Sequence, residues 1–187
     1  SIHDGVSIRD LLEIGCMDGR RLARAADVFG CQATGIEASE KAVQAGRERY
    51  PHISVSQGVA PEALESIVGD KEFDVVVVGF FLYLLPRPLL FRTIASVDAL
   101  LRDGGFLIVS DFLSITPVRR DYAHNSQLAT YKSDYAQAWT WNPQYVLISR
   151  SSRSHDAGVA RFFDEERNWV TVDVLYKRPV ELSYDYR

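Results

Sequence analysis

Glu13-Ile14-Gly15-Cys16-Met17-Asp18-Gly19-Arg20 sets two glycines four apart, with an acid two residues ahead of the first. Glycine lets a backbone turn sharply and come close to a ligand with no Cβ in the way. The spacing departs from the dinucleotide fingerprint Gly-x-Gly-x-x-Gly: Met17 stands where the middle glycine would be, so a pyrophosphate is less well cradled. An acid beside the loop suits a cationic ligand end better than a phosphate. A second acid, Glu37 in Gly35-Ile36-Glu37-Ala38-Ser39, lies about 20 residues further on, where it can accept both hydroxyls of a ribose. Nucleotide dehydrogenases share that second feature, so a nicotinamide-dependent oxidoreductase stays open on these residues alone.

Such a loop needs a sheet to hold it. Asp10 to Ile14 reads as a strand ending at Gly15. Leu22, Ala25, Ala26 and Phe29 then recur at three- and four-residue spacing, which predicts a helix from Gly19 to Phe29 stopped by Gly30. Ala33 to Glu37 is a second strand, and Ser39 predicts the N-cap of a helix running to Tyr50, with Pro51 just past its end. His52 to Gln57 alternates as a third strand, and Pro61 opens a short helix through Val68. Phe73 to Val78 is β-branched and apolar on both faces, the pattern of a strand inside a parallel sheet. A helix from Leu89 to Leu101, a turn at Asp103-Gly104-Gly105 and a strand from Phe106 to Ser110 follow. Strands separated by helices imply right-handed crossovers and helices on both faces. In such sheets ligands bind at the carboxyl ends of the strands.

The last third differs in texture. Phe112 to Asn142 is polar and aromatic, with no clear strand and a short helix near Ser133 to Trp139. Gln144 to Arg150 reads as a strand, Ser151 to Asp156 as a polar loop and Trp169 to Lys177 as a final strand. Two late strands without a long helix between them suggest an edge hairpin, which makes one strand antiparallel. The expectation is one α/β domain over residues 1–187: a doubly wound, mostly parallel, seven-stranded sheet with an antiparallel edge hairpin. Residues 112–143 form a lid between the fifth and sixth strands.

The bulk numbers narrow the partners. The 187 residues are 47% hydrophobic and 25% charged, enough for a single core and ordinary for a globular chain. The net charge of −4, with Arg-rich stretches limited to Arg119-Arg120 and to Arg150 with Arg153, argues against nucleic acid. No apolar run approaches the roughly 18 residues of a membrane span. Ser1-Ile2-His3-Asp4-Gly5 has neither the basic start nor the apolar core of a signal segment. Cys16 and Cys31 offer no disulfide framework and no metal-ligand spacing, so no metal is expected and a reduced, cytoplasmic setting fits. A homo-oligomer is compatible with all of this.

Four stretches, in this order, resemble the class I S-adenosylmethionine-dependent methyltransferase family: Leu-Leu-Glu-Ile-Gly-Cys-Met-Asp-Gly-Arg, Gly-Ile-Glu-Ala-Ser, Phe-Asp-Val-Val-Val-Val-Gly-Phe-Phe-Leu-Tyr-Leu-Leu and Leu-Leu-Arg-Asp-Gly-Gly-Phe-Leu-Ile-Val-Ser-Asp, spanning Asp10 to Asp111. The resemblance implies a Rossmann-like fold and S-adenosylmethionine as cofactor. By it, Glu13 pairs with the amino group of the methionine moiety, and Gly15, Cys16, Met17 and Gly19 line that moiety with backbone. Glu37 holds the ribose hydroxyls and Ala38 lies against the adenine. Gly58, Val59 and Ala60 flank the adenine edge, where the family usually has an acid and this chain has none. Gly79, Phe80 and Phe81 close over the sulfonium. Family members commonly carry a helix ahead of the first strand; here that strand begins about ten residues in, so a more open pocket or a preceding segment is expected.

The tail motifs Ser110-Asp111-Phe112, Tyr131-Lys132-Ser133-Asp134-Tyr135 and Trp141-Asn142-Pro143-Gln144-Tyr145 look like a bacterial subset encoded among surface-carbohydrate biosynthesis genes. That likeness implies a small or carbohydrate-type acceptor, methylated at oxygen. A hydroxyl acceptor benefits from a base, and His124, Asp111 and Lys132 are the candidates, with Tyr131 and Asp134 as further groups to orient a polyhydroxylated acceptor. A non-catalytic protein that keeps the cofactor pocket is the alternative within the same fold. In every one of these readings Glu13 could simply cap its strand and pair with Arg20.

Overall fold

Four consecutive valines fix the centre of the sheet. They lie in β4 (Phe73–Gly79), hydrogen-bonded in parallel to β1 (Asp10–Ile14) on one side and β5 (Leu101–Leu113) on the other, with Phe73, Val76 and Val78 fully buried. The computed structural model describes residues 7–68, 71–122, 125–155 and 169–184. Outward from β1 lie β2 (Gln32–Glu37) and β3 (Ser54–Gln57), both parallel to it. Outward from β5 lie β9 (Trp169–Lys177), antiparallel to β5, and then β8 (Tyr145–Ser154) at the edge. The order is β3-β2-β1-β4-β5-β9-β8.

Alternation along the strands divides the core into two layers. On one face α1 (Arg20–Phe29) and α2 (Glu40–Arg49) bury Leu22, Ala23, Ala26 and Val43 against Leu11, Ala33, Val55 and Val75. On the other, α3 (Leu90–Leu100) buries Val97 and Leu100 with Leu12, Ile14, Val76 and Val78. Ser39 caps α2, its hydroxyl accepting from the Ala42 N–H at 3.4 Å. The chain leaves β1 towards β2 and β3, then crosses back to β4. The carboxyl ends of β1 and β4 therefore flank the switch point of the sheet, where open α/β sheets hold ligands.

Three expectations need correction. The segment 112–143, expected to lack strands, is not strandless: β6 (Val118–Tyr122) and β7 (Asn125–Lys132) form an antiparallel hairpin, followed by the single-turn α4 (Gln137–Thr140). Val118-Arg119-Arg120-Asp121-Tyr122 carries no period-two apolar face and none of these residues is buried, so the sequence holds no strand signal there. β8 runs on through Ser154, past the predicted end at Arg150, because pairing with β9 supplies the bonds its polar residues do not signal. Leu64–Val68 winds as a wide π turn, not a continuing α-helix.

Candidate functional site

Because β1 and β4 are parallel and adjacent, the turns that leave them meet. An ideal Cβ on Gly15, whose φ is +78°, would lie 2.3 Å from the carbonyl oxygen of Gly79 and 3.5 Å from the Phe81 ring. Only a residue without a side chain fits there. The loop is held against β2 as well: the Gly15 and Cys16 N–H groups donate to the Ile36 carbonyl at 2.8 and 3.3 Å. Met17 then takes a positive φ of 53°, rare for a side-chain-bearing residue, and lies 69% exposed.

That strained turn aims the Met17 N–H at Glu37, whose Oε2 accepts it at 2.9 Å while Oε1 accepts the Ser39 N–H at 2.9 Å. An ionised carboxylate offers about four lone-pair sites, so Glu37 is fixed by backbone and keeps one acceptor on each oxygen for a ligand diol. The Gly58 N–H closes the β2–β3 side by donating to the Glu37 carbonyl at 3.0 Å. Ala38 and Val59 are exposed at this rim, whereas Ala60 is buried. Cys16 points inward beneath Gly35 and Leu22, and burial together with Glu13 and Glu37 pushes its thiol up to about 12, so it contributes backbone and packing only.

Glu13 is 1% exposed. Its partner is Arg21, with Nε donating to Oε1 at 2.7 Å and Nη2 donating to the same oxygen, and not Arg20. Burial raises the Glu13 pKa while the Arg21 charge and hydrogen bond pull it back. Arg21 was missed in the sequence because the two residues stand eight apart across a turn whose course only the fold sets. With Ser110, the pair supplies the polar groups of an otherwise apolar cavity of about 520 Å³ on the α1 side of the sheet, whose lining includes Leu22, Val77, Ile108, Ile148 and Val172.

Beyond β4, Phe80 also has a positive φ, 52°, and its N–H donates to the Ser110 carbonyl at 2.8 Å. This turns its ring edge-on to Phe112 at 5.8 Å. Around Phe112 gather Tyr83 at 5.0 Å, His155 at 5.1 Å and the Lys132 ammonium, 3.9 Å from the ring centroid. His155, at the end of β8, lies far from the lid in sequence and carried no signal there. Asp111 is fully buried: Oδ2 accepts from the Leu82 N–H at 2.9 Å and Oδ1 from the Phe112 N–H at 2.7 Å. Burial pushes its carboxyl up to about 7 against these donors. Asp134 holds Arg150, which also grips the buried Asp173. His124 lies outside the described residues.

A mostly parallel seven-stranded sheet with a glycine turn packed between β1 and β4, and an acid at the end of β2 held by backbone N–H groups, is the arrangement of the class I S-adenosylmethionine-dependent methyltransferase fold. The chain belongs to the methyltransferase domain family, whose model matches residues 11–105. It is 34% identical over 108 residues to the 27-O-demethylrifamycin SV methyltransferase of Amycolatopsis mediterranei, covering 56% of this chain and 39% of that protein. It is 28% identical over 112 residues to the O-methyltransferase cnsE of Penicillium expansum, covering 57% of this chain and 39% of that protein. The chain thus spans well under half the length of these curated relatives. In fold it is similar to the N-methyltransferase NodS of Bradyrhizobium japonicum in complex with S-adenosyl-L-homocysteine, with a TM-score of 0.67, 17% identity, and coverage of 92% of this chain and 80% of that one. The residues present fit the cofactor: the cradle admits close backbone approach, and Glu37 keeps acceptors for the two ribose hydroxyls.

Proposed function

We propose that this protein transfers a methyl group from S-adenosylmethionine to an oxygen of a small-molecule acceptor, carbohydrate-type molecules included. The observation that carries the reading is the Gly15–Gly79 approach with the backbone-fixed Glu37 beside it. When bound, the cofactor supplies an activated methyl group, so the protein's task is chiefly alignment and exclusion of water. In this reading Glu13 faces the methionine amino group, Glu37 takes the ribose and Ala38 with Val59 borders the adenine. Phe81 borders the sulfonium.

The acceptor lies on the Phe80–Phe112 side, beneath the lid of residues 112–143. Oxygen as the methylated atom is supported by the two curated relatives, whose names are those of O-methylating enzymes; the carbohydrate class is supported by the motifs of residues 110–145. His155 and Lys132, both against Phe112, are the groups proposed to receive or stabilise the acceptor's proton and charge, and His124 stays a candidate from the sequence alone. Asp111 acts as a positioning residue that holds the turn after β4. Among the described residues no helix is long and apolar enough to cross a membrane, and the reading takes the enzyme as cytoplasmic.

The test is calorimetric titration with S-adenosylhomocysteine, followed by incubation with methyl-labelled S-adenosylmethionine and a cell extract. Micromolar binding and one labelled product support the reading. Binding without any labelled product supports a non-catalytic cofactor-binding protein, and binding of a nicotinamide dinucleotide in its place ends the proposal.

A further inference from the structure

The basic stretch Arg119-Arg120 has no part in the cofactor site. We propose that Arg120 and Lys132 form a clamp for an anionic group, a carboxylate or a phosphate, carried by the acceptor; this rests on the methyltransferase reading just given and names the class of acceptor within it. Strand register brings the two cations together. In the β6–β7 hairpin Val118 pairs with Lys132 and Arg120 with Thr130. Arg120 and Lys132 are therefore diagonal neighbours on one face, about 7–8 Å apart and within reach of long side chains. Tyr122, two residues beyond Arg120, shares that face. Two contacts show where the face points: the Lys132 ammonium lies 3.9 Å from the Phe112 ring centroid, and the Tyr122 ring stands edge-on to Tyr83 at 6.4 Å. The Tyr131 N–H fastens the hairpin there by donating to the Tyr83 carbonyl at 2.7 Å. Both contacts lie at the carboxyl ends of β4 and β5, beside Phe80, on the side proposed for the acceptor.

Charge and chemistry favour a negative ligand on this face. Like charges at neighbouring positions of a strand pair repel, and these two stand together in a chain whose net charge is −4. The acids close by are otherwise engaged. Asp121 pairs with Ala129 and lies on the opposite face of the hairpin. Asp134 is held by Arg150, and Asp111 is buried under the N–H groups of Leu82 and Phe112. The Arg120 side chain is exposed and has no acceptor among the described residues. A guanidinium offers five donors in a planar fork that matches carboxylate and phosphate oxygens, and a lysine adds a compact charge. Arg87 is excluded from the clamp, because it donates to the Leu85 carbonyl and lies over the Tyr131 ring at 4.4 Å, on the other face. Arg119, opposite Tyr131, also belongs to that other face.

The experiment titrates three probes that share one ring (glucose, glucuronate and glucose 6-phosphate) by ligand-observed NMR, with S-adenosylhomocysteine present. At least one anionic probe binds about 10-fold or more tighter than glucose, as for gain of a hydrogen bond to a charged group, and the stronger of the two tells carboxylate from phosphate. Arg120→Gln removes that preference and leaves glucose within about twofold of wild type; Lys132→Gln does the same. Arg119→Gln, which deletes the adjacent cation on the opposite face, keeps the preference, and so separates a clamp from general attraction to a basic hairpin. Arg119 and Arg120 are both exposed, so neither change strands a buried group, and S-adenosylhomocysteine affinity stays at the wild-type value. Anionic probes that bind no better than glucose, a preference that survives Arg120→Gln, or equal losses in Arg119→Gln and Arg120→Gln overturn the clamp. Wild-type protein that fails to bind S-adenosylhomocysteine overturns the cofactor reading instead, and the probes are then compared without it.

Discussion

Replacing Gly15 by alanine puts one methyl group into the tightest backbone approach of the site. Two costs add. The φ of +78° is disfavoured for any residue with a Cβ, by about 1–2 kcal/mol. The new Cβ, 2.3 Å from the Gly79 oxygen, must retreat by about 1 Å to reach ordinary contact. The Gly15 N–H is meanwhile tied to Ile36 at 2.8 Å, so the β1 and β4 turns spread. Overpacking of this size costs about 1–3 kcal/mol, for about 2–5 kcal/mol in all. In a domain of this size that lowers Tm by roughly 5–20 °C, short of unfolding at room temperature. The spreading falls where the cofactor's methionine moiety is proposed to lie, so calorimetry should show S-adenosylhomocysteine affinity reduced at least about 100-fold, because the site misses its geometry by about 1 Å. Gly30→Ala is the control. Its φ is +63° with no neighbour within 4 Å of the added Cβ, so it costs about 1–2 kcal/mol and leaves binding unchanged. Gly15→Ala with wild-type affinity, or Gly30→Ala with lost affinity, would refute the reasoning.

Three further outcomes are expected. Asp111 has a folded pKa raised to about 7, so its stabilising contribution is complete below about pH 4 and is lost as pH rises through about 7; denaturant titrations from pH 4 to 8 should show that decline, and Asp111→Asn should flatten it. Arg150→Met leaves Asp173, fully buried, without its cation, which destabilises by about 3 kcal/mol in a thermal melt; an unchanged melt would show that Asp173 does not depend on Arg150. His155→Gln should lower methyl transfer to the labelled product about 100-fold while S-adenosylhomocysteine affinity stays the same, and an unchanged rate would remove His155 as a base.

The parallel half of the fold was legible because its signals are local. Val75 to Val78 could only be a strand covered on both sides, Ser39 and Gly30 mark helix ends by backbone chemistry, and Gly15 with Glu37 carries a spacing that a βαβ unit turns into proximity. The β6–β7 hairpin was not legible, since Val118 to Tyr122 owes its strand to cross-strand hydrogen bonds and not to an apolar period. Asp111 shows what a sequence cannot display, the partners of an acid. An acid after a strand looks available for catalysis, yet here the backbone donors of Leu82 and Phe112 claim it.

What the sequence determined by itself is the succession and type of the elements of the main sheet and the glycine turn that leaves β1, because periodicity, caps and glycine spacing act within a few residues. Tertiary structure alone decided that Arg21 and not Arg20 meets Glu13, that His155 reaches Phe112 and that Asp134 is held by Arg150. Each of these is a contact between residues brought together by strand register and chain reversal, and register is set by how whole faces pack.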